Sequence, residues 1–140
     1  VGASVQADGL VGSAVEEFLR YGGPLQFLTR RVAADVELGG LSLRAGETVM
    51  AFVGAANRDE RAFTEPDRLL LDRSPNRHLA FGFNIHFCLG ASLARVEGEV
   101  ALQSLFDHFP DLAATGPSIR RGSPLLRGFI RFPVTVGTQE

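Results

Sequence analysis

The chain has 140 residues, 45% of them apolar, with eleven phenylalanines and a positive mean hydropathy; that size suits one globular domain, and that composition excludes a disordered chain. Fourteen basic residues, all arginine, against sixteen acidic ones give a net charge of -2, which argues against nucleic-acid binding by phosphate neutralisation. A single cysteine rules out an internal disulfide framework and leaves a free thiol, as expected in a reducing, cytoplasmic compartment.

The chain starts at Val1 with no basic segment and meets Asp8 before any apolar run reaches signal-peptide length, so it reads as a fragment or a processed chain. Ser13 is placed to cap a helix over residues 14–21, with Glu16 and Glu17 in its first turn where the helix dipole favours anions. Gly22, Gly23 and Pro24 stop it. Short extended pieces follow at residues 27–32, 36–38, 41–43 and 48–53, separated by Gly39-Gly40 and Ala45-Gly46-Glu47 turns, and predict one small antiparallel sheet. Residues 54–80, rich in Arg, Asp, Asn and Pro, hold neither period and predict a long ordered loop, a feature that tends to be functional.

The uncharged stretch 78–94 approaches the about 20 residues that span a bilayer. His78, Asn84, His86, Ser92 and two glycines interrupt it, so it predicts a buried loop entering a helix and no membrane segment. Over residues 89–109 the helical signal is strongest: Leu89, Leu93, Val96, Val100 and the Leu105, Phe106, Phe109 group recur at three- and four-residue steps, with Arg95, Glu97, Glu99, Gln103 and Asp107 on the other face. Pro110 ends it. The alternation over residues 129–136 predicts a further hairpin. The expected class is α+β: two helices, small antiparallel sheets and a long ordered coil.

Cys88 falls at the N-terminal edge of the long helix, where first-turn N–H groups and the dipole stabilise a thiolate and suit it to metal ligation or nucleophilic attack. A lone cysteine is more often inert packing, so its surroundings must decide. Structural zinc takes four clustered ligands, and only His86 is near; His78 and His108 lie outside ligand spacing. A Cys88/His86 nucleophile pair lacks an evident oxyanion arrangement. Axial ligation of a haem iron needs one protein ligand only. It also needs close backbone approach, as at Gly82 and Gly90, an apolar shield for the sulfur, as from Phe81 and Phe83 or Phe87, and a cation for the propionates, as at His86.

Residues 81–95, Phe-Gly-Phe-Asn-Ile-His-Phe-Cys-Leu-Gly-Ala-Ser-Leu-Ala-Arg, resemble the haem-thiolate loop and following helix of cytochrome P450, whose pattern is F-G-x-G-x-H-x-C-x-G-x-x-L-A-R. Glu17-Phe18-Leu19-Arg20 resembles the family's E-x-x-R element, and Pro66-Asp67-Arg68 resembles the segment whose arginine completes a buried Glu-Arg-Arg network. Ala56-Asn57-Arg58-Asp59 and His78-Leu79-Ala80-Phe81 resemble the soluble bacterial branch. The resemblance covers essentially the whole chain and implies the C-terminal part of the mainly helical P450 fold, residues 1–140 being its haem-binding portion.

By itself Glu17/Arg20 is a generic i, i+3 pair worth about 0.2 to 0.5 kcal/mol; the resemblance implies instead a buried structural network of Glu17, Arg20 and Arg68 that holds the coil under the haem. It further implies haem b (iron protoporphyrin IX) on Cys88, with Phe81, Gly82 and Gly90 against it and propionates on His86 and Arg30. Arg30 is chosen over Arg31 by its distance to Asp35, since strand alternation points the two in opposite directions; two exposed strand-edge arginines are the alternative. His78 is a weaker propionate candidate.

Asn84 stands at the family's second glycine, a place that demands positive φ, which asparagine tolerates. The oxygen-activating helix with its acid-alcohol pair has no counterpart in the sequence, nor has most of the substrate pocket. Residues 25–28 and 125–128 are expected to line what remains. The implied activity is a monooxygenase, inserting one oxygen atom of O2 into a small organic substrate with electrons from a ferredoxin- or flavodoxin-type donor. The alternative is a truncated, non-catalytic P450 remnant.

Overall fold

A computed structural model of the chain describes residues 9–137; residues 1–8 and 138–140, the ends of the expected 1–140 portion, lie outside the described residues. Helix α1 spans Val11–Gly22 and begins earlier than the sequence predicts. Ser13 is not its cap: it sits inside the first turn and its Oγ donates to the Leu10 carbonyl at 3.0 Å. Glu16 and Glu17 therefore belong to the second turn, and Glu17 and Arg20 share the buried face with Ala14 and Val15.

Strand β1 (Leu28–Arg31) pairs antiparallel with β4 (Thr48–Ala51), Arg30 opposite Val49. Between them β2 (Val36–Leu38) pairs with β3 (Leu41–Leu43) across Gly39 and Gly40, both at positive φ, as a two-residue hairpin turn with matching twist requires. The single predicted sheet is thus two separate ladders. Hydrogen bonds from Val32 N–H to Glu47 O and from Gly46 N–H to Val32 O close the outer ladder before the inner ribbon starts.

The coil opens with one helical turn, α2 (Val53–Ala56), and then runs without regular structure to a 3-10 turn at Asn84–His86. Helix α3 covers Ala91–His108. It meets α1 through small residues: a Cβ placed at Gly98 would lie 3.1 Å from Val15 Cγ1. The larger residues predicted as its core face are exposed, Leu93 at 62%, Val96 at 56% and Val100 at 63%. No helix among the described residues is long and apolar enough to cross a membrane.

The last two strands, over residues 129–131 and 134–135, pair with earlier strands and not with each other. Strand β5 (Ala113–Ala114) joins β8 (Val134–Thr135), and β6 (Ile119–Arg120) joins β7 (Phe129–Arg131). Pro133, between β7 and β8, has no N–H to offer a ladder, and its carbonyl accepts from Thr115 N–H at 3.1 Å. The predicted hairpin over 129–136 is therefore two strands of two different sheets. Among the described residues the fully enclosed apolar core is small, Ala14, Val15, Val53, Phe63 and Ala91, and Glu17, Arg20 and Asn57 are buried beside it.

Candidate functional site

The loop that carries Cys88 is built by its backbone. Gly82 takes φ +78, donates its N–H to Leu79 O at 2.9 Å, and leaves no room for a side chain, since a Cβ there would stand 2.9 Å from His86 O. Asn84 adopts φ +53, the left-handed conformation its position demands, and its carbonyl accepts Phe87 N–H at 2.9 Å. Cys88 N–H then donates to Phe81 O at 2.8 Å, and Cys88 O accepts Ala91 N–H at 3.2 Å, so that α3 starts from the cysteine.

The sequence predicts this loop to be buried; it is exposed from Phe83 through Gly90. Cys88 is a free, exposed thiol, and its neighbours Phe83, Ile85, Phe87 and Leu89 are exposed at 74%, 88%, 52% and 103%. Four large apolar residues exposed within one short loop are a concentration of apolar surface of the kind that marks a binding site. A Cβ at Gly90 would meet nothing within 4 Å, so the space beside it is open. Cys88, His86, Phe81, Gly82 and Gly90 thus share one loop. Arg30 is exposed on β1, with Nη1 donating to Thr29 O at 2.9 Å. Arg31 turns the other way, its Nη2 3.7 Å from the Cβ position of Gly46.

Beneath the coil lies a buried charged network. Arg20 donates from Nε and Nη2 to the two Glu17 oxygens at 2.7 and 2.8 Å, from Nη1 to the carbonyls of Asn57 and Pro66 at 2.8 Å, and from Nη2 to that of Arg68 at 3.0 Å. Glu17 also accepts Leu70 N–H at 2.9 Å and Arg73 Nε at 3.1 Å. Burial pushes the Glu17 carboxyl up, and the hydrogen bonds from Arg20, Leu70 and Arg73 outweigh it and hold it below its ordinary range.

The assignment of Arg68 to this network needs correcting. Only its carbonyl takes part; its side chain is 65% exposed and pairs with Glu65. The second guanidinium is that of Arg73, 6% exposed. Glu65, at φ +48, turns the chain so that Arg68 faces outward, and the coil brings Arg73 back onto Glu17. No local signal separates Arg73 from Arg58, Arg61 or Arg77, which share this polar stretch.

A second cluster escaped sequence reasoning. Glu16 accepts Arg95 Nε at 2.5 Å and Nη2 at 3.0 Å, and His78 Nε2 lies 3.1 Å from it. Ala80 N–H donates to His78 Nδ1 at 3.2 Å, which assigns the neutral tautomer with its proton on Nε2. His78 is therefore engaged at both nitrogens and is not a propionate ligand. Burial holds its pKa below the ordinary value, against the opposing pull of Glu16. The Arg95 guanidinium stacks over the Phe81 ring at 4.8 Å. Arg95 reads from periodicity as a solvent-facing residue; only the long-range pairing with Glu16 reveals its use.

Comparison with known proteins agrees with this geometry. The sequence model of the family described as cytochrome P450 matches residues 9–117. The chain is 50% identical over 135 residues to nocardicin C N-oxygenase of Nocardia uniformis subsp. tsuyamanensis, covering 90% of this chain and 33% of that protein. It is 49% identical over 135 residues to the vitamin D(3) 25-hydroxylase of Pseudonocardia autotrophica, covering 94% of this chain and 34% of that protein. Among solved structures, CYP109E1 from Bacillus megaterium in complex with testosterone superimposes with a TM-score of 0.94 at 37% identity, over 98% of this chain and 39% of that one. The chain thus spans about a third of the length of the curated relatives it matches. With the family model matching most of the chain, residues 9–117, and relatives 49% and 50% identical over 135 residues, the chain belongs to the cytochrome P450 family.

Proposed function

We propose that this chain is the C-terminal, haem-binding portion of a cytoplasmic P450 monooxygenase, in which Cys88 would hold the haem iron. The observation that carries the reading is the exposed Cys88 thiol at the start of α3, flanked by exposed Phe83, Phe87 and Leu89 and by open space at Gly90. These features fit haem: one thiolate, an apolar surface for the macrocycle and a place where the backbone lets it come close. Haem, when bound, supplies dioxygen activation, helped by the electron push of a thiolate ligand.

The chain's own residues bind and orient. With haem bound, Cys88 would hold the iron, Phe81 would shield the sulfur, and His86 and Arg30 would hold the propionates. Arg30 is free of any acidic partner among the described residues, which suits it to an incoming carboxylate. Residues 25–28 and 125–128 form one wall for a small organic substrate. In support of that wall, Gln26 N–H donates to Leu125 O at 3.0 Å, Arg127 N–H to Pro24 O at 2.6 Å, and Leu25 bridges Leu126. The electron donor is of ferredoxin or flavodoxin type. The second reading, a truncated, non-catalytic P450 remnant, draws on the exposed apolar face of α3, Leu93, Val96 and Val100, a surface of the kind that serves association.

Haem reconstitution followed by the reduced carbon monoxide difference spectrum tests the assignment. A thiolate-type band is expected in the natural chain and none in Cys88→Ala. A band that persists in Cys88→Ala, or none in either, overturns it.

A further inference from the structure

Outside the buried Glu17 network, the most enclosed polar cluster joins the cysteine loop to α1. The loop makes few contacts of its own: every residue from Phe83 to Gly90 is exposed. Its tie to the body is Phe81, whose carbonyl accepts Cys88 N–H at 2.8 Å. The Phe81 ring lies 4.8 Å beneath the Arg95 guanidinium, with the His78 ring at 6.1 Å and the Phe87 ring at 6.4 Å. Arg95 is in turn clamped by two hydrogen bonds to Glu16, and Glu16 stands on α1, next to the buried Glu17.

We infer that Glu16 and Arg95 are positioning residues for the Cys88 thiolate, acting through Phe81. Helix α3 starts at Ala91, three residues after the cysteine, and about one turn later returns a guanidinium to the ring of the residue whose carbonyl holds the cysteine amide. The path Cys88, Phe81, Arg95, Glu16 closes on a rigid element, so the sulfur is fixed relative to α1 although the loop itself is open to solvent. Two donors on one carboxylate give a flat, oriented guanidinium, and a flat guanidinium over an aromatic face restrains the ring as well as attracting it. His78, donating to the same carboxylate, keeps Glu16 in place. The inference rests on the haem-thiolate reading only for what the sulfur does once it is positioned.

Amide hydrogen exchange on the full, haem-free chain tests the anchor itself. In Arg95→Ala and in Glu16→Gln the Cys88 amide is expected to exchange about tenfold faster, the scale of losing a partly desolvated cation–π contact and its clamp, with the β1–β4 ladder amides unchanged. Arg95→Lys, which keeps the charge and gives up the flat fork, is expected between Arg95→Ala and the natural chain. If Arg95→Ala does not fold, the near-isosteric Glu16→Gln decides alone. Unchanged Cys88 exchange in Glu16→Gln overturns the inference, as does an equal acceleration of the ladder amides, which marks a merely structural role. Where the haem-loaded natural chain gives a thiolate-type reduced carbon monoxide band, its share is expected to fall in the variants at equal haem content, and an equal share there also overturns the inference. Faster Cys88 exchange together with no thiolate-type band in the natural chain supports the anchor and sinks the haem reading, so the two failures are distinguishable.

Discussion

Arg20 has five N–H donors, and each has a partner: two reach Glu17 and three reach the carbonyls of Asn57, Pro66 and Arg68. One side chain thereby ties a helix to three points of a coil that has little regular structure to hold it. Arg73 does comparable work on the same carboxylate, donating also to the Thr64 carbonyl at 2.7 Å. Removing one member of a buried charged network costs about 3 to 5 kcal/mol, whereas an exposed pair such as Arg68 with Glu65 is worth about 0 to 1 kcal/mol. Arg73→Ala is therefore expected to lower the urea midpoint steeply while Arg68→Ala leaves it nearly in place; the reverse order would restore Arg68 to the network. The sequence made the Glu17/Arg20 pair legible, through its i, i+3 spacing and its motif, as it did the positive φ of Asn84. It could not identify Arg73, because the identity of the second arginine depends on how an aperiodic coil folds back.

At the scale of elements, helix α3 was legible in extent and misleading in orientation. Its large apolar residues announce a core face, but the face turned to α1 carries Ala91, Ala94, Gly98 and Leu102, which are buried or half-buried. Close helix approach needs small residues, and a pattern scored by size and hydropathy favours the opposite stripe. Gly98 sets the distance, with Val15 3.1 Å from its Cβ position. Gly98→Ala is expected to be nearly neutral, since the gain in helix propensity of about 1 kcal/mol offsets a small displacement of Val15. Gly98→Leu forces the helices apart and should cost about 1 to 3 kcal/mol, read as a lower urea midpoint and weaker amide protection in both helices; an unchanged midpoint in Gly98→Leu would show that the contact is loose. The strand positions were legible for the same kind of reason in reverse: glycine pairs and alternation are local signals, while the partners of β7 and β8 are β6 and β5, earlier in the chain, which no local signal names.

For the molecule as a whole, adjacent carboxylates on α1 hold different parts together, Glu17 the coil and Glu16 the cysteine loop and α3. Both titrate below the ordinary value of 4.5: for Glu16 the Arg95 hydrogen bond outweighs burial, and for Glu17 burial is overcome by several hydrogen bonds. The unfolded chain therefore binds their protons first as pH falls, so their contribution is complete above about 4.5 and is lost below it. His78 adds an earlier step with the same sign. Burial holds it below its ordinary 6.5, the unfolded chain again takes the proton first, and stability falls as pH drops from about 6.5 toward the folded value. Acidification should thus lower the urea midpoint in two stages, one beginning near 6.5 and one below 4.5. His78→Gln should remove the upper stage and keep the lower, because an amide at that position donates to Glu16 without titrating. A midpoint in the natural chain that stays flat between about pH 7 and pH 5 would contradict the buried neutral His78, and with it the tautomer that braces Glu16.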